Sequence, residues 1–314
     1  MVKKFVLIVP VMNEETAISE FVETVDSVIR EVPMLELEYL FVDDGSMDKT
    51  VDEILRQADV SQNKVTYLSF SRNFGKEAAI YAGLTHANRN ADYVGLIDVD
   101  LQDPPQLLSE MFSKIDEGAD VAVAVRKSRD SEPFVRRMLS DLFYFLMNKI
   151  SQTPIIPGVR DFRVMTREYV DAVLQISERS RFSKGIFSWV GYKQEYLSYD
   201  YQPRKNGKTS WSLWGLFKYA FEGIVDFSSA PLMIVSALGI MSFFLAALGA
   251  LFIVVRAVVN PGAAVFGWPS LVVLILAVSG IQLFSLGVVG RYISSIFIEV
   301  KKRPVFLIKK RDTD

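Results

Sequence analysis

Over the first 125 residues, short apolar runs that end in polar or Pro/Gly-containing clusters alternate with stretches of helical spacing. Phe5-Val6-Leu7-Ile8-Val9 predicts a strand halted at Pro10, and residues 14–31 predict a helix. Tyr39-Leu40-Phe41-Val42 is a second strand, running into Asp43-Asp44-Gly45-Ser46. Residues 65–70 form a third, followed by Ser71-Arg72-Asn73-Phe74-Gly75 and a helix from about Lys76. Tyr93-Val94-Gly95-Leu96-Ile97 is the fourth, and Val121-Ala122-Val123-Ala124-Val125, ending at Arg126, is the fifth. Strands alternating with helices predict an α/β domain with a mostly parallel sheet. Because each polar cluster follows a strand, the clusters are expected to converge along one sheet edge, where open α/β sheets bind ligands.

The densest of these clusters is Asp98-Val99-Asp100-Leu101-Gln102-Asp103-Pro104-Pro105. Alternate positions on a strand share a face, so Asp98, Asp100 and Gln102 can bring three oxygen ligands together. Hard oxygens suit Mg²⁺ or Mn²⁺ and leave room for substrate phosphates. The alternative is a solvated acidic loop. No G-x-G-x-x-G or G-x-x-x-x-G-K-[ST] cradle is present, so a dinucleotide fold or a P-loop ATPase is disfavoured.

Two later runs change the picture. Pro231 to Val255 is 25 residues without a charge and Gly267 to Gly290 another 24, each beyond the roughly 20 needed to span a bilayer core. They predict two membrane helices. Basic residues flank the pair on both sides (Arg204, Lys205, Lys208 and Lys218 before; Arg291, Lys301, Lys302, Arg303, Lys309, Lys310 and Arg311 after), while the loop between carries one Arg. Both ends are therefore expected in the cytoplasm at the plasma membrane, with a short hairpin outside. The aromatic stretch Trp211 to Phe227 predicts an interfacial helix lying on the bilayer, with an amphipathic core helix as its alternative. Residues 133–150 predict a further helix on which Arg136 and Ser140, four apart, share a face. Such an arginine near a membrane can hold a lipid phosphate; a solvated face is the other reading. The implied organisation is an α/β domain over 1–210, an interfacial helix over 211–230, a membrane hairpin over 231–298 and a basic tail over 299–314.

Composition narrows the chemistry. There is no cysteine, so disulfides and thiolate metal sites are excluded. The one histidine, His86, reads as a structural residue near a helix end, leaving little support for histidine-based nucleophile schemes. A formal net charge of −2 gives no sign of nucleic-acid binding.

Taken in order, Pro10-Val11-Met12-Asn13-Glu14, Val42-Asp43-Asp44-Gly45-Ser46, Ser71-Arg72-Asn73-Phe74-Gly75, Asp98 to Pro105, Asp161-Phe162-Arg163 and Glu299-Val300-Lys301-Lys302-Arg303-Pro304 give the chain its likeness. With the two apolar spans, the series resembles the polyprenyl-phosphate glycosyltransferases of glycosyltransferase family 2, related to dolichyl-phosphate mannose synthase, and most of all the bactoprenol glucosyltransferases. That resemblance implies a GT-A (nucleotide-diphospho-sugar transferase) fold, a nucleotide-sugar donor (UDP-glucose, with donors of N-acetylglucosamine, galactose, mannose or aminoarabinose as alternatives), a polyprenyl phosphate acceptor, inversion at the sugar carbon, Mg²⁺ or Mn²⁺, and a homotetramer. It implies that Pro10, Met12, Glu14 and Asp43 line the nucleotide pocket, and that Asp98, Asp100 and Gln102 hold the metal. Arg126, Arg136 and Ser140 match acceptor-phosphate positions, Asp161 matches an active-site acid, and Arg204 and Lys208 fall in the loop expected to close on the diphosphate. Met12 stands where many relatives have Tyr, so any packing on the base would come from a thioether.

Three other readings compete. A processive polysaccharide synthase would carry Gln-x-x-Arg-Trp and more membrane helices, and neither is present. A membrane-anchored nucleotide-sugar-binding protein lacks need of the acidic triad, and a channel subunit would carry charges within its spans. Arg136→Ala is expected to raise the apparent KM for polyprenyl phosphate while sparing donor binding. An unchanged KM for the lipid in a transfer assay would remove Arg136 from the acceptor site.

Overall fold

The computed structural model describes residues 2–32, 34–127, 156–200, 230–259 and 268–311. The predicted helices over 133–150 and 211–227 lie outside these residues, as do Arg136, Ser140, Arg204 and Lys208. Eight strands form a single sheet: β1 (Lys3–Val11), β2 (Leu35–Asp43), β3 (Lys64–Phe70), β4 (Tyr93–Leu96), β5 (Val121–Arg126), β6 (Val159–Thr166), β7 (Gln194–Tyr199) and β8 (Ile308–Arg311). Their order is β7-β5-β6-β4-β1-β2-β3-β8, with β6 and β8 antiparallel to their neighbours and the remaining pairs parallel.

Helices cover both faces: α1 (Ile18–Ile29), α2 (Thr50–Val60), α3 (Lys76–His86), α4 (Leu107–Asp116), α5 (Arg167–Gln175) and α6 (Ser183–Trp189). Alternation along β1 divides the core. Phe5, Leu7, Val9 and Val11 pack into a cluster that includes residues of α1 and α4, whereas Val6 and Ile8 face α3 and α5. Both sides of β1 are buried, which is why it reads as an unbroken apolar run. Two long helices follow, α7 (Ala230–Val259) and α8 (Trp268–Lys301). Within them Ala230–Gly249 and Leu274–Lys301 are long and apolar enough to cross a membrane, and almost none of either stretch is buried against the protein.

The structure departs from the sequence-based expectation at four places. β4 stops at Leu96, so Asp98, Asp100 and Gln102 lie in a turn and not on one face of a strand. The turn is set by Leu101, whose φ of 54° no strand allows, and by the Gln102 N–H donating to Asp100 Oδ1 at 3.2 Å. α1 begins at Ile18 instead of residue 14, and the preceding Glu14 and Glu15 donate their backbone N–H groups to the Thr50 and Asp48 side chains. α8 outlasts its uncharged run by more than ten residues, to Lys301. The basic tail returns to the sheet as β8, paired with β3.

That return is anchored by Phe306, whose ring stacks on Phe70 at 5.1 Å and meets Tyr81 and His86 at 6.2 and 5.9 Å. His86, at the end of α3, shares its Nδ1 with the Ala82 carbonyl, in the structural role expected for it. Phe306→Ala should lower unfolding stability by about 2 kcal/mol, since only part of the ring is buried. Urea denaturation of the detergent-solubilised chain measures this, and a loss under about 0.5 kcal/mol would mean that the tail adds little to the sheet.

Candidate active site

Strand direction accounts for the convergence. β1 to β5 all end at one sheet edge, and antiparallel β6 starts there, so Asp161 near its first residues meets the segment that follows β4. The loop after β1 is stitched to the loop after β2. Asn13 (φ 54°) donates its N–H to Ser46 Oγ at 2.9 Å and accepts from the Met47 N–H at 2.9 Å. Asp43, almost wholly buried, accepts from the Ser46 N–H at 2.9 Å and from Ser69 Oγ at 2.7 Å. Both of its carboxylate oxygens thus serve the loop framework. Pro10 and Glu14 lie on this framework half-buried, and Met12 is exposed with its sulfur accepting from Asn73 Nδ2 at 2.8 Å.

Asp44 secures the next loop. Its carboxylate accepts from the Phe74 N–H at 2.6 Å and the Gly75 N–H at 2.9 Å. Burial pushes its pKa up and those two N–H groups pull against the shift. Gly45 permits this approach: its φ is +76°, and a Cβ there would fall 2.6 Å from the Arg72 carbonyl carbon.

Beyond Gly75, Lys76 opens α3 and points its ammonium at the acidic turn. Nζ lies 2.7 and 2.8 Å from the two Asp98 oxygens and 2.6 Å from Asp161 Oδ2. Desolvation works against the charge on Lys76, but the Asp161 and Asp98 carboxylates outweigh it and raise its pKa. Burial would likewise raise Asp161, yet the charges of Lys76, Lys184 and Arg163 hold it well below the usual carboxylate range. Asp161 is therefore a fixed anion and a poor proton donor.

A second cation backs the turn. Arg160 Nε donates to Asp103 at 3.1 Å and its Nη2 to Gln102 Oε1 at 3.3 Å. Tyr199 OH also donates to Asp103, whose pKa burial pushes up. Arg163 lies fully buried over the Phe187 ring at 3.9 Å and donates to the carbonyls of Asp161 and Arg160. Arg126, at the end of β5, is half-buried on the same edge, its N–H donating to the Gly158 carbonyl.

Asp98, Asp100, Gln102, Asp161 and Arg126 are thus brought to one edge, beside the end of β1 and the loop after it, which carry Pro10, Met12 and Glu14, and the end of β2, which carries Asp43. Lys76, Arg160, Asp103 and Tyr199 were not singled out by sequence reasoning. The one local sign of Lys76 in the sequence is its place in the first turn of a helix, where a cation opposes the helix dipole. Among the described residues, no group of three His, Cys, Asp or Glu side chains could hold a metal. Two carboxylates and a carboxamide still fit Mg²⁺ or Mn²⁺, for which substrate phosphates and water complete the shell.

The model for the family "Glycosyl transferase family 2" matches residues 6–174. A prophage bactoprenol glucosyl transferase homolog of Escherichia coli is 41% identical over 98% of this chain and 99% of its own. An SfII prophage-derived bactoprenol glucosyl transferase of Shigella flexneri is 42% identical over 98% of each chain. The solved mannosyl-3-phosphoglycerate synthase of Rubrobacter xylanophilus is a more distant likeness, 16% identical with a TM-score of 0.47 over 71% of this chain and 72% of its own.

Asp44→Ala strips the acceptor from the Phe74 and Gly75 N–H groups. A loss of about 1–3 kcal/mol in denaturant unfolding is expected, with Asp44→Asn, which keeps one acceptor oxygen, intermediate. Equal stability of all three proteins would show that the loop does not depend on this carboxylate.

Proposed function

The chain belongs to glycosyl transferase family 2, and from that membership we propose that it transfers glucose from UDP-glucose to the phosphate of a polyprenyl phosphate. The observation that supports this reading is identity of 41–42% along nearly the whole chain to proteins named bactoprenol glucosyl transferase. The two apolar helices fit a substrate confined to a membrane. On this reading α7 and α8 cross the bilayer as a hairpin, with the catalytic domain and both flanking basic segments on the cytoplasmic side.

The acceptor is already a phosphate anion, so it needs little help from a general base. What the protein must supply is orientation and neutralisation of two negatively charged substrates. Arg126 and Arg136, with Ser140, hold the lipid phosphate by charge-assisted hydrogen bonds. The segments carrying Pro10, Met12, Glu14 and Asp43 form the wall of the nucleotide pocket, and Arg204 and Lys208 are assigned to the diphosphate by the family resemblance. Asp98, Asp100 and Gln102 would hold Mg²⁺ or Mn²⁺, which would neutralise charge on the departing nucleoside diphosphate. Asp161, kept ionised by Lys76, contributes a fixed negative charge near the sugar carbon, and attack from the face opposite the diphosphate gives inversion.

The test is transfer of radiolabelled sugar from a panel of UDP- and GDP-sugars to undecaprenyl phosphate, with and without Mg²⁺. Metal-dependent label in the lipid fraction from UDP-glucose is expected, and Asp100→Asn should abolish it by removing a charged ligand. Label from a different donor would correct the sugar. Near wild-type transfer by Asp100→Asn at saturating metal would overturn the metal assignment, and no label from any donor would overturn the reaction.

A further inference from the structure

Lys76 is held in place from both sides. The Gly75 N–H before it is bound by Asp44 at 2.9 Å, and the Glu77 carboxylate after it accepts from the Ser183 N–H of α6 at 2.9 Å. The first turn of α3 is therefore tied on both sides, while the lysine side chain itself is 44% exposed. Its three contacts, two to Asp98 and one to Asp161, match the three donors of an ammonium group. One of the two bridged carboxylates is a cation ligand in the function proposed above, and the other is not.

We propose that Lys76 is a positioning residue that holds the place of the divalent ion. While the donor is absent, its ammonium neutralises Asp98 and Asp161 together and keeps their carboxylates aligned. When the donor arrives with its cation, Asp98 turns from the ammonium to the ion, and Lys76 stays on Asp161. The arrangement lets two acids sit side by side in the empty site and makes cation loading depend on the diphosphate, whose charge offsets the repulsion between Lys76 and the ion. The inference rests on the reading of Asp98 and Asp100 as cation ligands.

A lysine that merely braced the fold would lose cation affinity when removed, because Asp98 would lose its support. A lysine that competes with the ion gives the opposite sign. Mn²⁺ binding to the full-length protein in detergent, without nucleotide, is read from the free-Mn²⁺ electron paramagnetic resonance signal. Lys76→Met and Lys76→Gln are expected to bind Mn²⁺ roughly three- to tenfold more tightly than the wild type, through loss of like-charge repulsion. Lys76→Arg, which keeps the charge, should stay within about twofold of the wild type by the same argument. Turnover should fall in both neutral variants although their metal affinity rises. Unchanged or weaker Mn²⁺ binding in the neutral variants, with the wild type binding normally, overturns the inference alone. Failure of the wild type to bind Mn²⁺ even with UDP present overturns the cation-ligand reading and the inference together.

Discussion

Strands β4 and β6 are neighbours, and the segments at their shared edge bring Asp98 and Asp161 to one ammonium group. Without a cation between them, two anions in a partly desolvated site would repel strongly. Lys76 removes that repulsion, and the nearby framework serves to deliver Lys76. Asp44 binds the loop before it, and Ser183 binds Glu77 after it. Arg163, buried beneath, holds the carbonyls on which Asp161 and Arg160 hang. A buried guanidinium is expensive unless its donors are matched, so its full burial marks the backbone it holds as closely specified.

A second charge layer lies behind the first. Arg160 stands between Asp103 and Gln102, so the acidic turn is gripped by one cation at its front and another at its rear. The turn contains a leucine in the left-handed region, and such strain persists where surrounding contacts hold it. Here the ion pairs on either side of Leu101 are those contacts. Opposed cations keep an acid-rich turn compact.

The five strands up to Arg126 were legible because each is an apolar run with a sharp polar stop, and their convergence followed from parallel connection. β6 was legible only as an apolar stretch begun by Asp161-Phe162-Arg163, and β7 and β8 were not legible. Gln194–Tyr199 alternates weakly with polar residues on its exposed positions, and Ile308–Arg311 is nearly all basic, so neither advertises a strand. Both lie at the outer margins of the sheet, where exposure relaxes the need for apolar side chains. The acidic turn was found by composition but its geometry was misjudged, since nothing in a D-x-D series reports a positive φ at the following leucine. Lys76 was visible only as the start of a helix; its partners lie 22 and 85 positions away in the chain, beyond the reach of local spacing.

The tail of the chain connects the membrane reading to the site. At the end of α8, Glu299 accepts from the N–H groups of Arg179 and Ser180 at 2.6 and 3.2 Å, and Arg179 Nε donates to the Arg303 carbonyl at 2.8 Å. Beyond these contacts, residues from Pro304 onward carry the chain onto β3, the strand that leads into the loop held by Asp44. A flexible tether would leave the catalytic edge free to face any direction. A helix pinned at its last turn and then continued as a strand of the sheet transmits its own orientation to the domain. An acceptor phosphate that moves only in the plane of a bilayer can be met only at one height and one angle. On the proposed reaction, the return of the tail is the part of the fold that holds the catalytic sheet in one orientation toward a lipid acceptor.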